Sequence, residues 1–252
     1  MEFRAGPEKL TVNVTDRDAL MVRIAERFQT NQGFAVATLN MDHLVKLRHS
    51  AAFRAAYRAQ DFVVADGNPI VWLSRLAKRS VSLAPGSDLV LPLARVATTH
   101  KKRVALIGST KGALMQAKGH LLQRVPGLEI VLCVAPEFGF DPEGPAGEQV
   151  IDKIRAARAD FCFLALGAPK QETFAARARK ALPTVGFASI GAGLDFLAGT
   201  QSRAPKWVRD LSLEWAWRLV WSPTRLAGRY ARCFAILPVH MIDAIAQRMR
   251  TV

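Results

Sequence analysis

Asp66 marks an abrupt change in the character of the chain. Phe62-Val63-Val64-Ala65 is an apolar run of strand length, and it stops at Asp66-Gly67-Asn68-Pro69. Such a run fits a buried strand. Gly67 accepts backbone angles that other residues resist, and Pro69 suits the first turn of a helix. The pattern predicts strand, sharp turn and helix, with Asp66 at the carboxyl end of the strand, where open α/β sheets bind ligands. A carboxylate there can take a proton as general base or hold a sugar hydroxyl. An aspartate in this place can equally cap the following helix, and position alone leaves both roles open.

Other polar turns also follow apolar runs. They are Thr38-Leu39-Asn40, Gly86-Ser87-Asp88, Gly108-Ser109-Thr110-Lys111-Gly112, Gly167-Ala168-Pro169-Lys170-Gln171-Glu172 and Gly191-Ala192-Gly193. Small residues at a helix start expose amides suited to phosphate. The turn at Gly108 matches neither the dinucleotide fingerprint nor the P-loop, however, and an ordinary tight turn explains it as well. Asp16-Arg17-Asp18 has the Asp-x-Asp spacing of metal-dependent nucleotide-sugar enzymes, but it opens a helix and reads as a cap. The five histidines and three cysteines show no ligand spacing, so neither a metal site nor a cofactor is expected.

These turns need a scaffold. Strands are predicted at residues 34–39, 62–65, 103–107, 128–134, 161–166 and 185–190, with a short edge strand at 12–14. Helices are predicted at 15–28, 41–57, 149–158 and 175–182, and after Gly67, Pro85 and Gly112. The alternation implies an α/β fold, a mostly parallel sheet with helices on both faces. The chain has 252 residues, half of them hydrophobic, enough for one large domain or a domain with an appendage. No apolar run reaches membrane-span length, and the N-terminus has no apolar signal core, so a cytosolic protein is expected. Cys133 and Cys162 lie in apolar runs and read as buried reduced thiols.

The net charge of +14 calls for an anionic partner. After residue 198 the composition changes. Trp207, Trp215, Trp217 and Trp221 are interleaved with Arg203, Lys206, Arg209, Arg218, Arg225, Arg229 and Arg232. Leu226, Tyr230, Phe234, Leu237 and Met241 continue an apolar stripe at helical spacing. Basic helices with tryptophan on one face lie well in a membrane interface. A stripe packed on the core, with the arginines solvated, explains the pattern about as well. Two parts are expected: residues 1–198, and a helical, membrane-binding appendage at 199–252.

Taken in order, the strand-end turns, together with Arg203-Ala204-Pro205-Lys206-Trp207 and Glu214-Trp215 with Arg218, resemble the WecG/TagA/CpsF glycosyltransferases, family 26 of that class. The resemblance covers nearly the whole chain. It implies a Rossmann-like core and a C-terminal appendage that meets the membrane and helps close the active site. It implies metal-independent, inverting, β-forming transfer from a UDP donor to a polyprenyl-diphosphate-linked saccharide. Asp66 looks like the catalytic base, and Thr38 and Asn40 look like its neighbours. Gln171 looks like a donor or acceptor ligand. Gly67, Asn68, Ser87, Asp88, Gly108, Ser109, Lys170, Glu172, Gly191 and Arg203 lie in turns that would line the substrates. Arg218, Arg225, Arg229, Trp215 and Trp221 would meet an anionic membrane, placing the protein peripherally on the cytoplasmic face of the inner membrane. Nucleic acid is not an expected partner, and a homo-oligomer is compatible with the sequence.

Members often carry an arginine just before the Gly-Ser-Asp turn. Here Leu83 stands in that place, so the cation for a diphosphate must come from Arg203 or the tail. The Asp-Gly-x-Pro-x-Val-Trp form leans toward the exopolysaccharide (gum-type) branch and a UDP-hexose such as UDP-glucose, with UDP-N-acetylmannosamine second. Two other classes compete. A soluble nucleotide-binding oxidoreductase fits the α/β pattern but lacks Gly-x-Gly-x-x-Gly. A basic nucleic-acid-binding module fits the charge, with tail tryptophans that would stack bases.

Overall fold

A computed structural model describes residues 1–201 and 204–250. The chain opens with an antiparallel hairpin, β1 (Glu2–Ala5) and β2 (Glu8–Thr11), turned at Gly6. The expected edge strand at 12–14 is not one. Instead, the amides of Asn13 and Val14 both bond Val63 O. The chain continues through α1 (Arg17–Gln29), β3 (Phe34–Leu39), α2 (Met41–His49), α3 (Ala51–Arg58), β4 (Phe62–Ala65), α4 (Asn68–Leu76) and α5 (Gly86–Thr99). Next come β5 (Val104–Gly108), α6 (Lys111–Arg124), β6 (Ile130–Val134), α7 (Pro145–Ala156), β7 (Phe161–Ala165), α8 (Lys170–Ala181) and β8 (Gly186–Ser189). The chain then becomes helical: α9 (Gly193–Ala198), α10 (Lys206–Asp210), α11 (Glu214–Trp221) and α12 (Pro223–Met249).

β3 to β8 form one parallel sheet in the order β4-β3-β8-β7-β5-β6. Side chains alternate between its faces, as strand geometry requires. Phe34, Val36, Phe62, Val64, Leu106, Phe161 and Phe163 face one way, onto α1, α5 and α6. On the other face, Ala37, Leu39, Val63 and Ala65 meet α2, α3 and α4, while Ile107, Leu164 and Phe187 meet α7 and α8. Each fully buried Phe or Leu contributes roughly 1.5–3 kcal/mol. The helix after β3 covers one face, and the helix after β8 covers the other. The carboxyl ends of β3 and β8 therefore flank a crevice, the place where such sheets bind ligands.

Several boundaries differ from expectation; α7, for one, begins at Pro145 rather than at 149. The helix predicted over 41–57 breaks at Ser50, whose backbone is extended and whose Oγ accepts from the Phe53 amide at 3.1 Å, capping α3. α8 begins at Lys170, directly after Pro169, so Gln171 and Glu172 fall in its first turn rather than in a loop. Asp16 caps α1, accepting from the Ala19 amide at 2.8 Å.

α12 packs against α2, α4 and β1. Ile236 and Ala244 are buried in the same cluster as β3 and β4. Arg4 pairs with Asp243 at 2.7 Å, and Gln247 exchanges hydrogen bonds with the Glu2 backbone. No described helix is long and apolar enough to cross a membrane.

The turn after β5 depends on a close approach. Gly108 has φ +115°, and a Cβ there would lie 2.3 Å from Ala165 O. Gly108→Ala should therefore push β5 from β7 and lower unfolding stability by roughly 2–4 kcal/mol in urea titration. An unchanged midpoint would show that the two strand ends are not locked together.

Candidate active site

Asp66 follows β4 directly, and its amide donates to Leu39 O at 2.8 Å. It does not cap α4. That position belongs to Gly67 (φ 99°), which makes no side-chain cap hydrogen bond, and Asn68 and Pro69 form the first turn. The Asp66 carboxylate meets Asn40 instead, with Nδ2 donating to Oδ2 at 3.2 Å. Register makes the pair. Leu39 stands opposite Ala65 in adjacent parallel strands, so the next residue of each strand emerges beside the other. The Asn40 amide is fixed because its Oδ1 caps α2, accepting from the His43 amide at 3.0 Å.

Burial pushes the Asp66 carboxyl up to about 6. The Asn40 hydrogen bond opposes that rise, as do the charges of Arg218 and Arg229, while Glu214 adds to it. A half-buried carboxylate that titrates near neutrality suits a general base. Thr38 is buried on β3 beside Val64. Its carbonyl accepts from the Tyr57 hydroxyl at 3.4 Å, and that hydroxyl also meets His43 Nδ1 at 2.6 Å. Burial drives the His43 ring down to about 3, which keeps it neutral, and drives the Tyr57 phenol upward.

A second group gathers at β7 and β8. Gln171 is buried, its Oε1 accepting from the Gly191 amide (3.1 Å) and its Nε2 donating to Glu172 Oε1 (2.8 Å). The side chain thus ties two strand-end turns together. Glu172 is fully buried, and its Oε2 has no hydrogen-bond partner. Burial raises its carboxyl to about 7. Gln60 donates to the Glu172 carbonyl at 3.2 Å. Lys170 opens α8 and is half-buried. Ser87 and Asp88 lie in the first turn of α5, held against the Gly191 turn because Gly86 touches the Ile190 backbone. Gly108 and Ser109 lie farther along the sheet edge, with the Ser109 hydroxyl hydrogen-bonded to Asp195.

The C-terminal helices pack beside α2 and α4, next to this region. Arg229 Nε lies 3.2 Å from Asp42, which also binds Lys46 at 2.8 Å. Arg218 pairs with Glu214, its guanidinium 5.4 Å from the Phe196 ring centroid. Trp215 packs edge-on against Tyr230 and Phe234, and Trp221 is 71% exposed. Arg203 lies outside the described residues, as does the side chain of Arg225. Asp42, Lys46, His43, Tyr57 and Gln60 were not among the residues picked out in the sequence. The i,i+4 spacing of Asp42 and Lys46 was a visible signal, but it marks an ordinary helix-surface pair. The described residues contain no group of three or more His, Cys, Asp or Glu side chains placed to hold a metal ion.

Comparison with known proteins gives a consistent picture. The profile of the Glycosyl transferase WecG/TagA/CpsF family matches residues 8–252. A protein of Bacillus spizizenii is 30% identical over 198 residues, which is 77% of this chain and 74% of that protein. One of Bacillus subtilis is 29% identical over 196 residues (77% and 73%), and one of Staphylococcus aureus is 26% identical over 227 (86% and 87%). Each carries the name N-acetylglucosaminyldiphosphoundecaprenol N-acetyl-beta-D-mannosaminyltransferase.

The Asp66 environment sets two linked outcomes for Asp66→Asn. A base must be ionised, so wild-type kcat/KM should fall as pH drops through about 6. Asp66→Asn should lose roughly a hundred- to ten-thousandfold in rate, together with that limb of the profile. A carboxyl whose folded pKa is raised destabilises the fold above its unfolded pKa. The variant should therefore match wild-type stability near pH 4 and exceed it by about 1–2 kcal/mol at pH 8. A variant with near-wild-type turnover would remove Asp66 from the chemistry.

Proposed function

The chain belongs to the WecG/TagA/CpsF family of glycosyl transferases, and from that premise we propose that it moves a sugar from a UDP donor onto a polyprenyl-diphosphate-linked saccharide with Asp66 as base. The observation that carries the reading is the carboxylate near neutrality, hydrogen-bonded to Asn40, with Arg218 and Arg229 acting on it from the C-terminal helices. The acceptor hydroxyl gives its proton to Asp66 as its oxygen attacks the anomeric carbon. The new bond is β, the carbon–oxygen bond to UDP breaks, and UDP leaves with the electron pair. Arg218 and Arg229 are the cations that meet the diphosphate charge in the absence of an arginine at Leu83. The relatives' names favour an N-acetylglucosaminyl-diphospho-lipid acceptor and N-acetylmannosamine as the sugar transferred. The Asp-Gly-x-Pro-x-Val-Trp segment favours a UDP-hexose and exopolysaccharide synthesis.

In this reading residues 1–198 form the catalytic core, and the segment from 199 closes the site and seats the enzyme on an anionic inner-membrane surface. Support comes from the exposed apolar side chains on α11, with Val220 at 78% and Trp221 at 71%, next to a surplus of arginine.

A UDP-release screen with N-acetylglucosaminyl-diphospho-prenol as acceptor should respond to UDP-N-acetylmannosamine or UDP-glucose and persist in EDTA. Arg218→Ala should lower kcat on the same acceptor by about tenfold or more. Release from no UDP-sugar would overturn the donor class. Val220→Glu with Trp221→Glu should reduce sedimentation with anionic liposomes by roughly tenfold or more. Undiminished sedimentation would take α11 out of the membrane contact.

A further inference from the structure

Beside the Asp66 site lies a groove of about 570 Å³, within the size range of ligand pockets. Its apolar walls are Val45 and Phe53, from the corner between α2 and α3, and Ala235 and Ile236 of α12. The charged side chains at its margin are Lys46 and Arg232, with His49 beside them, and none of the described residues that line it is acidic. An apolar trough with cations at its margin complements an amphiphile, with hydrocarbon in the trough and an anionic head at the cations.

Lys46 orients such a ligand. Its Nζ donates to Ala168 O at 3.1 Å and pairs with Asp42 at 2.8 Å, and Asp42 holds Arg229 Nε at 3.2 Å. Arg229 is among the charges that act on Asp66. Ion pairs thus run from the groove through Lys46 and Asp42 to Arg229, whose charge reaches Asp66. A head bound along that line leaves its tail in the groove and directs whatever is attached beyond the head toward Asp66. On α12 the groove is flanked by the exposed Arg232 and Ala235 and floored by the buried Ile236, so it runs along the margin of the α2–α12 contact, while the exposed Met241 and Ile245 lie farther round the helix.

We propose that the groove between α2 and α12 holds the isoprene units next to the diphosphate of the lipid-linked acceptor, with Lys46 and Arg232 at the diphosphate end. The proposal rests on the acceptor class given above. It adds a site for the chain itself, which makes the first isoprene units a recognised part of the substrate rather than a passive anchor.

Photo-labelling of the full-length protein with a diazirine-bearing farnesyl diphosphate tests the groove without requiring turnover. Label is expected on Val45, Phe53 or Ala235, and unlabelled farnesyl diphosphate should compete it away. Ala235→Trp, which fills the trough, should cut labelling at least about fivefold. Arg232→Glu should do the same by opposing the head, even if the new tryptophan turns toward solvent. In transfer assays Ala235→Trp should raise KM for a prenyl-linked acceptor about tenfold more than for one whose prenyl chain is replaced by methyl. Label confined to Met241 and Ile245, no competed label, or label indifferent to both variants would overturn the proposal. So would a dimer that Ala235→Trp dissociates, since a second copy would then fill the groove. If the wild-type protein uses neither acceptor, the glycosyl transfer reading fails while the labelling still decides the groove.

Discussion

Burial opposes charge on Asp66 and lifts its carboxyl to about 6, and three interactions hold that rise in check. One is the hydrogen bond from Asn40 Nδ2; the others are the charges of Arg218 and Arg229. An isolated buried carboxylate would simply stay protonated. Much of the fold converges on this balance. The β3–β4 register sets Asn40 beside Asp66. The cap on α2 fixes which amide atom faces the carboxylate, because Oδ1 is already held by the His43 amide. Gly67, at a positive φ, turns the chain into α4 without drawing on the carboxylate as a cap.

The C-terminal helices are coupled to this balance by electrostatics as well as by packing. Asp42 binds Lys46 on its own helix and Arg229 across the interface. In a chain of net charge +14, an acid placed between two cations lets α12 approach α2 without repulsion. Ile236 and Ala244 then bury in the same cluster as the strands that carry Asn40 and Asp66. A shift of α12 would thus reach Asp66 through the charge of Arg229.

On the other side of the crevice, Gln171 joins the β7 and β8 turns through Glu172 and Gly191. Both polar ends of its amide are engaged inside the protein, so its first task is to hold two loops in register. Keeping Glu172 fully buried costs least when that carboxyl is protonated, which is the direction its pKa takes. Buried polar groups in such a place fix geometry that apolar packing alone would leave loose.

The sequence by itself determined the scaffold and where its strands end in polar turns. Apolar runs ending in Asp, Gly and Asn marked the parallel strands and their ligand-facing ends, because buried strands are short, continuous and apolar. Asp66, Asn40 and the Gly191 turn were legible for that reason. The hairpin at β1 and β2 was less so, since four-residue strands carry little periodicity. The break at Ser50 was also hidden, because the apolar spacing continues through it. Sequence left Asp66 between base and cap, and left the tail between membrane face and core face. On the first, the tertiary structure took away the cap, which went to Gly67, and set the carboxylate against Asn40. On the second it placed Ile236 and Ala244 in the core while leaving Val220 and Trp221 in solvent. It alone joined Asp42 to Arg229 and Gln171 to Gly191. Contacts between residues so far apart in the chain leave no periodic trace, because they depend on how finished elements pack.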